Sequence, residues 1–506
     1  MLNNSQDIQA LLAGPKFPDR EFIRSGATFG EVYAMAAGFR AAFSGPAYEG
    51  AAVCLAVDDR AVMAAVLLAA LRPGKRSEAK TPALERAALG PTATLDPSLK
   101  RAILGHLYPM ATLHPGKRSE AKAPAQPNGP TLLLPFALSG PALARMQQLT
   151  GFTAAICDID RELPAGTAII RPPVGTAAEL ATCAPISPQA ELLRIFTGGS
   201  TGTPQIRSKT GENLFGEGFS LARHFAVTEQ DCIVATVPPC HIYGLLFSVI
   251  LPLVSGASVI MASPSYPGEI ADAIQQQGAT LLAGIPPHYR ALRGKKVAAS
   301  SLRLAFSSAG MLDADDNEAF TQLNKVGIVE VYGSTETGGI ATRNRSMGET
   351  SFTAFPTVSW MIKEERLCVR SPFLSPELPV AGDGYFTTGD RVEQCGTSQF
   401  ILKGRVDGVT KVGGKRVDLE EVRAVIKKVP HISDCVVMAL PDPGGREHRI
   451  VALIQGTEVN MELLRKSLAA SLEFYALPRL LKTIDRIPLQ ANGKYDRDAI
   501  THLLTT

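Results

Sequence analysis

Three separated segments of this 506-residue chain carry side chains suited to one chemistry. Thr197-Gly-Gly-Ser-Thr-Gly-Thr-Pro204 offers the hydroxyls of Thr197, Ser200, Thr201 and Thr203, with open backbone N–H groups around Gly202. A Gly/Ser/Thr loop of this kind can wrap oxyanions. Tyr332-Gly333-Ser-Thr335-Glu336-Thr-Gly338 sets a carboxylate beside a hydroxyl, as a phosphate-bound Mg²⁺ requires. A later block, Thr388-Gly-Asp390 through Lys403-Gly-Arg405-Val-Asp407, supplies acids for a ribose and cations for the charge between. In that order the segments describe binding of ATP and attack on its phosphate chain. The common Gly-x-x-x-x-Gly-Lys-[Ser/Thr] loop is not the device, because no Lys follows the right glycine.

Loops must be held by elements, and the sequence indicates which. From about Asp231 short apolar runs, Cys232–Val237, Ser258–Met261, Thr280–Ile285, Leu302–Ser307 and Ile328–Tyr332, alternate with amphipathic stretches such as Gly268–Gln277 and Asp313–Val326. That alternation predicts an α/β fold of layered, mainly parallel sheets covered by helices on both faces. Ligand loops of such sheets sit at strand carboxyl ends, where Tyr332 to Glu336 falls. The stretch Ile242 to Met261 is apolar enough to raise a membrane span, but Pro252, Ser255, Gly256 and Ser258 break it into a buried helix and a strand. The last hundred residues read as a small α+β domain beginning near Arg405. A helix is expected over Arg416–Lys428, a strand over Asp434–Leu440 and a second helix over Met461–Leu472.

Composition is that of an ordinary globular protein, with 45% hydrophobic and 20% charged residues, and the length demands more than one core. A formal charge of +3 argues for neither nucleic acid nor an anionic membrane. Eight scattered cysteines without a Cys-x-x-Cys pair, and no secretory signal in the first residues, fit a reducing, cytoplasmic setting. Pro-Gly-Lys-Arg-Ser-Glu-Ala-Lys occurs at 73–80 and again at 115–122, within a stretch holding nine Lys/Arg and four acids. Residues 73–128 read as a poorly ordered insertion into a surface connection, with a basic docking arm as the alternative.

The pattern Thr-Gly-Gly-Ser-Thr-Gly-Thr-Pro is similar to the phosphate loop of the adenylate-forming superfamily, which includes acyl-CoA synthetases, luciferases and peptide-synthetase adenylation domains. Tyr332 to Glu336, Thr387 to Asp390, Gly404 to Asp407 with Val412 to Val417, and Asn492-Gly-Lys494 resemble its later motifs in order and spacing. The resemblance implies a large domain over 1–404 and a mobile lid over 405–506. Thr197, Ser200, Thr201, Gly202 and Thr203 would hold the departing pyrophosphate. Tyr332 would stack on adenine, with Gly333 beside it, Ser308, Ala309 and Gly310 against adenine and the acyl group, and Thr335 at the α-phosphate. Glu336 would hold Mg²⁺, Asp390 and Arg405 the ribose, Asp407 the hinge, and Gly413-Gly414 a thiol path. Lys494 would bridge the acid's carboxylate and the α-phosphate, where a fixed cation stabilises charge as it builds. The family pattern usually has Ser at the position of Gly198 and Lys at that of Gln205. Arg207 and Lys209 lie close enough in sequence to replace the lost cation.

Pro238-Pro-Cys-His-Ile-Tyr-Gly-Leu-Leu-Phe247 resembles the segment lining the family's acyl pocket, with His241 and Tyr243 at its mouth and Leu245, Leu246 and Phe247 on the wall. His241 reads alternatively as a satisfied core histidine. No acid lies between Asp231 and Glu269 to pair with a substrate ammonium, so an apolar acid, fatty or aromatic, is expected. The implied enzyme is an AMP-forming ligase that uses ATP and Mg²⁺. It passes the acyl group to CoA or to the phosphopantetheine of a separate acyl carrier protein. The alternative is a nucleotide- or acyl-binding protein of the same fold whose catalysis has decayed.

Overall fold

Strands of two to seven residues build the parallel half of an eleven-stranded sheet, in the order Ser258–Val259, Cys232–Ala235, Leu281–Gly284, Leu304–Ser307, Ile328–Ser334. Registers such as Ile233 with Leu281 and Ala305 with Ile328 keep these strands parallel. The strand Leu281–Gly284 is buried throughout, so it takes apolar residues on both faces. The helices Pro267–Gln277 and Ala314–Asn324 pack Ile270, Ile274 and Phe320 against this half. These bounds fall within a few residues of those read from the sequence. Coordinates are those of a computed structural model that describes residues 4–71 and 130–505, apart from 44–45, 49, 136, 174–188, 198–204, 298–300, 413–414, 442–447 and 491–492. The candidate insertion at 73–128 lies outside the described residues.

Beyond Ile328–Ser334 the sheet turns antiparallel. Thr335 to Thr337 close a hairpin onto Gly338–Asn344, and Phe352–Ala354, Gln399–Arg405, Phe386–Gln394, Arg366–Arg370 and Ser359–Lys363 follow in order. The layered α/β class holds, with an antiparallel half that the apolar alternation before Tyr332 gave no sign of. A second, six-stranded sheet runs Ala168–Ile170, Ala154–Cys157, Ala52–Ala56, Thr131–Leu134, Glu191–Thr197, Gln205–Thr210. Its last pair is antiparallel, ending at Thr197 opposite Gln205. These two strands flank the phosphate-loop segment in the chain.

The apolar stretch from Ile242 divides at Gly256 into helical pieces and the strand Ser258–Val259, as the sequence suggests. Helical residues run through Ile242–Leu245, a π-helical step at Leu246–Ile250, and Leu251–Ser255. Pro252 sits in the first turn of the last piece, where a missing N–H costs least. Gly256 then ends the helix in the left-handed region at φ 81°. Among the described residues no helix is long and apolar enough to cross a membrane.

The C-terminal residues form their own three-stranded sheet, Ile432–Pro441, His448–Gly456 and Leu480–Ile484, packed with the helices Leu419–Lys427 and Met461–Ser471 through Val422, Ile426, Ile454 and Leu464. Ion pairs tie this lobe to the large one: Arg290 to Asp434 at 2.8 Å and Lys427 to Asp313 at 3.0 Å. Arg423 and the Tyr495 hydroxyl also reach Asp434, at 3.1 and 2.9 Å.

Candidate active site

One cavity of about 420 Å³ is lined from both lobes. The large lobe brings Ser308 and Ala309 from the end of Leu304–Ser307, and Val331, Gly333, Ser334 and Thr335 from the neighbouring strand. It also brings His241, Tyr243, Leu246 and Phe247 from the helical start after Pro238. The C-terminal lobe brings Gln490, Lys494, Asp496 and Asp498. Two parallel strands thus present their carboxyl-end loops to a helix start, and Lys494 is set against all three. Leu245, expected on this wall, is fully buried and does not line the cavity.

Local geometry explains each placement. Ser308 donates to the Val331 carbonyl at 2.8 Å, which fastens the two loops together, and Ala309 is held at φ 70°, a strained conformation for a non-glycine residue. Gly310 follows at the exposed edge. Tyr332 packs its ring 5.7 Å from Phe352 and 6.0 Å from Phe400 and donates to Asp390 at 2.6 Å. Arg405, paired with Asp390 in register across the strands, reaches that carboxylate at 3.4 Å. Gly493 stands at φ 75° in the turn before Lys494, and a Cβ there would come within 2.1 Å of Ile285. Only glycine lets this turn lie so close to the large lobe.

Electrostatics differ from residue to residue. Burial pushes the Glu336 carboxyl up, but the Arg207 guanidinium at 3.0 Å outweighs it and holds the group below its ordinary range. Burial drives His241 down to about 4, and the charge of Lys494 acts in the same direction, so the imidazole is neutral near pH 7. Its Nε2 and the Tyr243 hydroxyl are buried without a partner, which does not fit a satisfied core histidine. Lys209 does not replace the missing loop lysine. Strand alternation sends it inward, buried, to donate to the Phe373 carbonyl at 3.0 Å. Arg207 is engaged with Glu336.

Ser200, Thr201, Gly202 and Thr203 lie outside the described residues, as do Gly198, Gly413 and Gly414, and Thr197 is seen only as a strand end. Asp407 falls in the 3₁₀ turn Val406–Gly408. Glu217 is the buried acid among the cavity residues that the sequence motifs did not indicate. Lining the same wall as Gly338 and Gly339, it carries the acid that the stretch after Asp231 lacks. The signal was present: Leu214, Glu217 and Leu221 share one helical stripe, and an acid in an apolar stripe faces inward.

The family described as AMP-binding enzyme matches residues 121–381, more than half of the chain. The chain belongs to the AMP-binding enzyme family. This AMP-binding enzyme is similar to the sulfoacetate–CoA ligase of Cupriavidus necator, 25% identical over 350 residues that cover 62% of the chain and 67% of the ligase. The 4-coumarate–CoA ligase of Rhodobacter capsulatus is 28% identical over 312 residues, 59% of the chain and 73% of that protein. In fold it resembles ATP-bound MatB from Rhodopseudomonas palustris, with a TM-score of 0.75 at 18% identity over 99% of both chains. The expectation of an AMP-forming ligase of the acyl-CoA synthetase type therefore stands beside relatives that are themselves named CoA ligases.

Proposed function

We propose that this AMP-binding enzyme activates a carboxylic acid by attack on the α-phosphate of ATP, releases pyrophosphate, and transfers the acyl group to a thiol. The thiol is that of CoA or of a carrier protein's phosphopantetheine. One observation carries the reading: Lys494 lines the same cavity as Ser308, Ala309, Thr335 and His241. A cation there meets two anions that must approach each other, and holding them in place supplies much of the acceleration. Thr335 would meet the α-phosphate, and Asp390 with Arg405 the ribose. Tyr332, its hydroxyl fixed on Asp390, would offer its ring to adenine. The hydroxyls at 197–203 would take the pyrophosphate end. Neutral His241 would orient the acid at the pocket mouth without adding a second cation beside Lys494.

The residues also fit Mg²⁺. Glu336 is held ionised, is 25% exposed at its side chain, and stands beside the hydroxyls of Ser334 and Thr335, an all-oxygen donor set. The ion held there would offset charge on the triphosphate. Arg207 would hold the carboxylate in place meanwhile. Asp407, in its turn, would be the pivot on which 405–506 swings after adenylation, carrying Lys494 away and admitting the thiol along Gly413 and Gly414.

The test is acid-dependent pyrophosphate release across a panel of fatty and aromatic acids, each with CoA and with a carrier protein as acceptor. Release with any acid supports the reading. Release with none leaves a binding protein of this fold. Lys494→Ala is expected to cut release by about 100-fold or more.

A further inference from the structure

The cavity wall holds a polar group that adenylation does not use. Glu217 is 3% exposed and lies where Gly338 and Gly339 open the wall. The Gly339 N–H donates to its Oε1 at 2.6 Å, and a Cβ on Gly338, at φ 67°, would come within 2.7 Å of its Oε2. Two glycines in succession leave the carboxylate facing the cavity. Lys494, from the C-terminal lobe, lines the same cavity; with the acid's own carboxylate taken at Lys494, Glu217 is left to meet another part of the acyl group.

We propose that Glu217 is a specificity-determining residue whose carboxylate receives a neutral hydroxyl carried at the far end of the activated acid. The proposal rests on the acid-activating reading above and names the substrate class of that site. Charge decides between a hydroxyl and an ammonium. Lys209, buried and held on the Phe373 carbonyl, already acts on Glu217 through its charge, so a ligand ammonium would bring a second cation to the same carboxylate. A bare hydrocarbon end would close over the carboxylate and return no hydrogen bond. A hydroxyl costs neither. Burial pushes Glu217 up and Lys209 down to about 8, each opposing the other's shift, as expected of a pair closed off from water.

The rest of the wall agrees. The unpartnered Tyr243 hydroxyl offers a second polar contact. Tyr243 and Phe247 meet edge to face at 4.9 Å, and Phe247 lies 5.0 Å from Phe306, a surface suited to a flat ring. A cavity of about 420 Å³ takes a small aromatic acid.

Pyrophosphate release is to be measured with 4-hydroxybenzoate against benzoate and with 8-hydroxyoctanoate against octanoate. The hydroxylated member of at least one pair should be favoured about tenfold or more in kcat/KM, since a site built for a hydroxyl discriminates against its absence. The pair showing the larger ratio identifies the scaffold. In Lys209→Met/Glu217→Leu, which removes both charges together, the ratio should fall towards one. A wild type without the preference, or a double variant that keeps it, overturns the proposal. If the double variant does not fold, Glu217→Gln replaces it and should lower the ratio several-fold, with an unchanged ratio counting against the role. If no acid releases pyrophosphate, the enzymatic reading fails on its own. Thermal shifts of the wild type then decide the pocket: a larger shift with 4-hydroxybenzoate than with benzoate supports it, and equal shifts overturn it.

Discussion

His241 shows how burial at one residue becomes a property of the whole chain. Its ring titrates at about 4 in the fold against 6.5 when exposed, because burial and the charge of Lys494 both oppose the imidazolium. Between those values the unfolded chain binds the proton and the folded one does not, so stability must fall as pH drops from 6.5 towards 4. At pH 5 the loss from this residue is about 2 kcal/mol. Denaturant unfolding of the wild type and His241→Gln at pH 7 and pH 5 should show the variant losing less on acidification. Equal losses would mean that the ring is hydrated in the fold. The same residue shows the reach of sequence. His241 could be placed at the pocket from its motif, but whether its nitrogens found partners depends on packing that no pattern encodes. Glu217 opens the helix Glu217–His224, ahead of Asp231 and outside the segment that resembles the acyl pocket, so no motif points to it.

At the level of elements, the docking of the C-terminal lobe turns on Asp434. Burial raises this carboxyl, but Arg290 and Arg423 outweigh it and hold it below its ordinary value. Its contribution is therefore present above the unfolded value of 3.8 and is lost only as pH falls through the lower folded one, so docking persists at pH 5 where His241 is already costing stability. Asp434→Asn leaves two guanidiniums facing a neutral amide, at a cost of about 2 kcal/mol once the partial exposure of Arg290 is allowed for. Hydrogen exchange over Leu419–Lys427 and Ile432–Pro441 should rise by the matching factor of about 30, and an unchanged rate would show that the lobe is held elsewhere. The turn at Gly493 makes a parallel case. Gly493→Ala should depress pyrophosphate release at least tenfold, because a Cβ collides with Ile285 and the backbone stands in a glycine conformation. The strands before Tyr332 were legible because buried parallel strands are runs of apolar residues. The antiparallel half was not, since half-exposed strands such as Ser359–Lys363 alternate and carry weaker signals. The Arg290–Asp434 pair between the lobes joins residues 144 apart, a separation at which periodicity says nothing.

At the scale of the molecule, the two half-reactions of the proposed function would make opposite demands on the C-terminal lobe. On that proposal adenylation would need Lys494 in the cavity, and thioester formation would need it gone so that a thiol can enter. If 405–506 swings between these tasks, contacts made only in the docked arrangement should matter to the first step alone. Three variants separate the possibilities. Lys494→Ala removes the cation, Arg290→Met loosens the Asp434 anchor while keeping bulk on its helix, and Thr335→Ala alters a wall that both steps share. With ATP and acid, all three should slow pyrophosphate release. With acyl-AMP supplied directly and CoA or carrier protein as acceptor, Lys494→Ala should retain thioester formation. Arg290→Met should match or exceed the wild type, because less energy is lost on undocking. Thr335→Ala should be impaired in both assays. Equal loss of both half-reactions in Lys494→Ala and Arg290→Met would mean that one arrangement of the lobes serves both steps, and the swing about Asp407 would have to be abandoned.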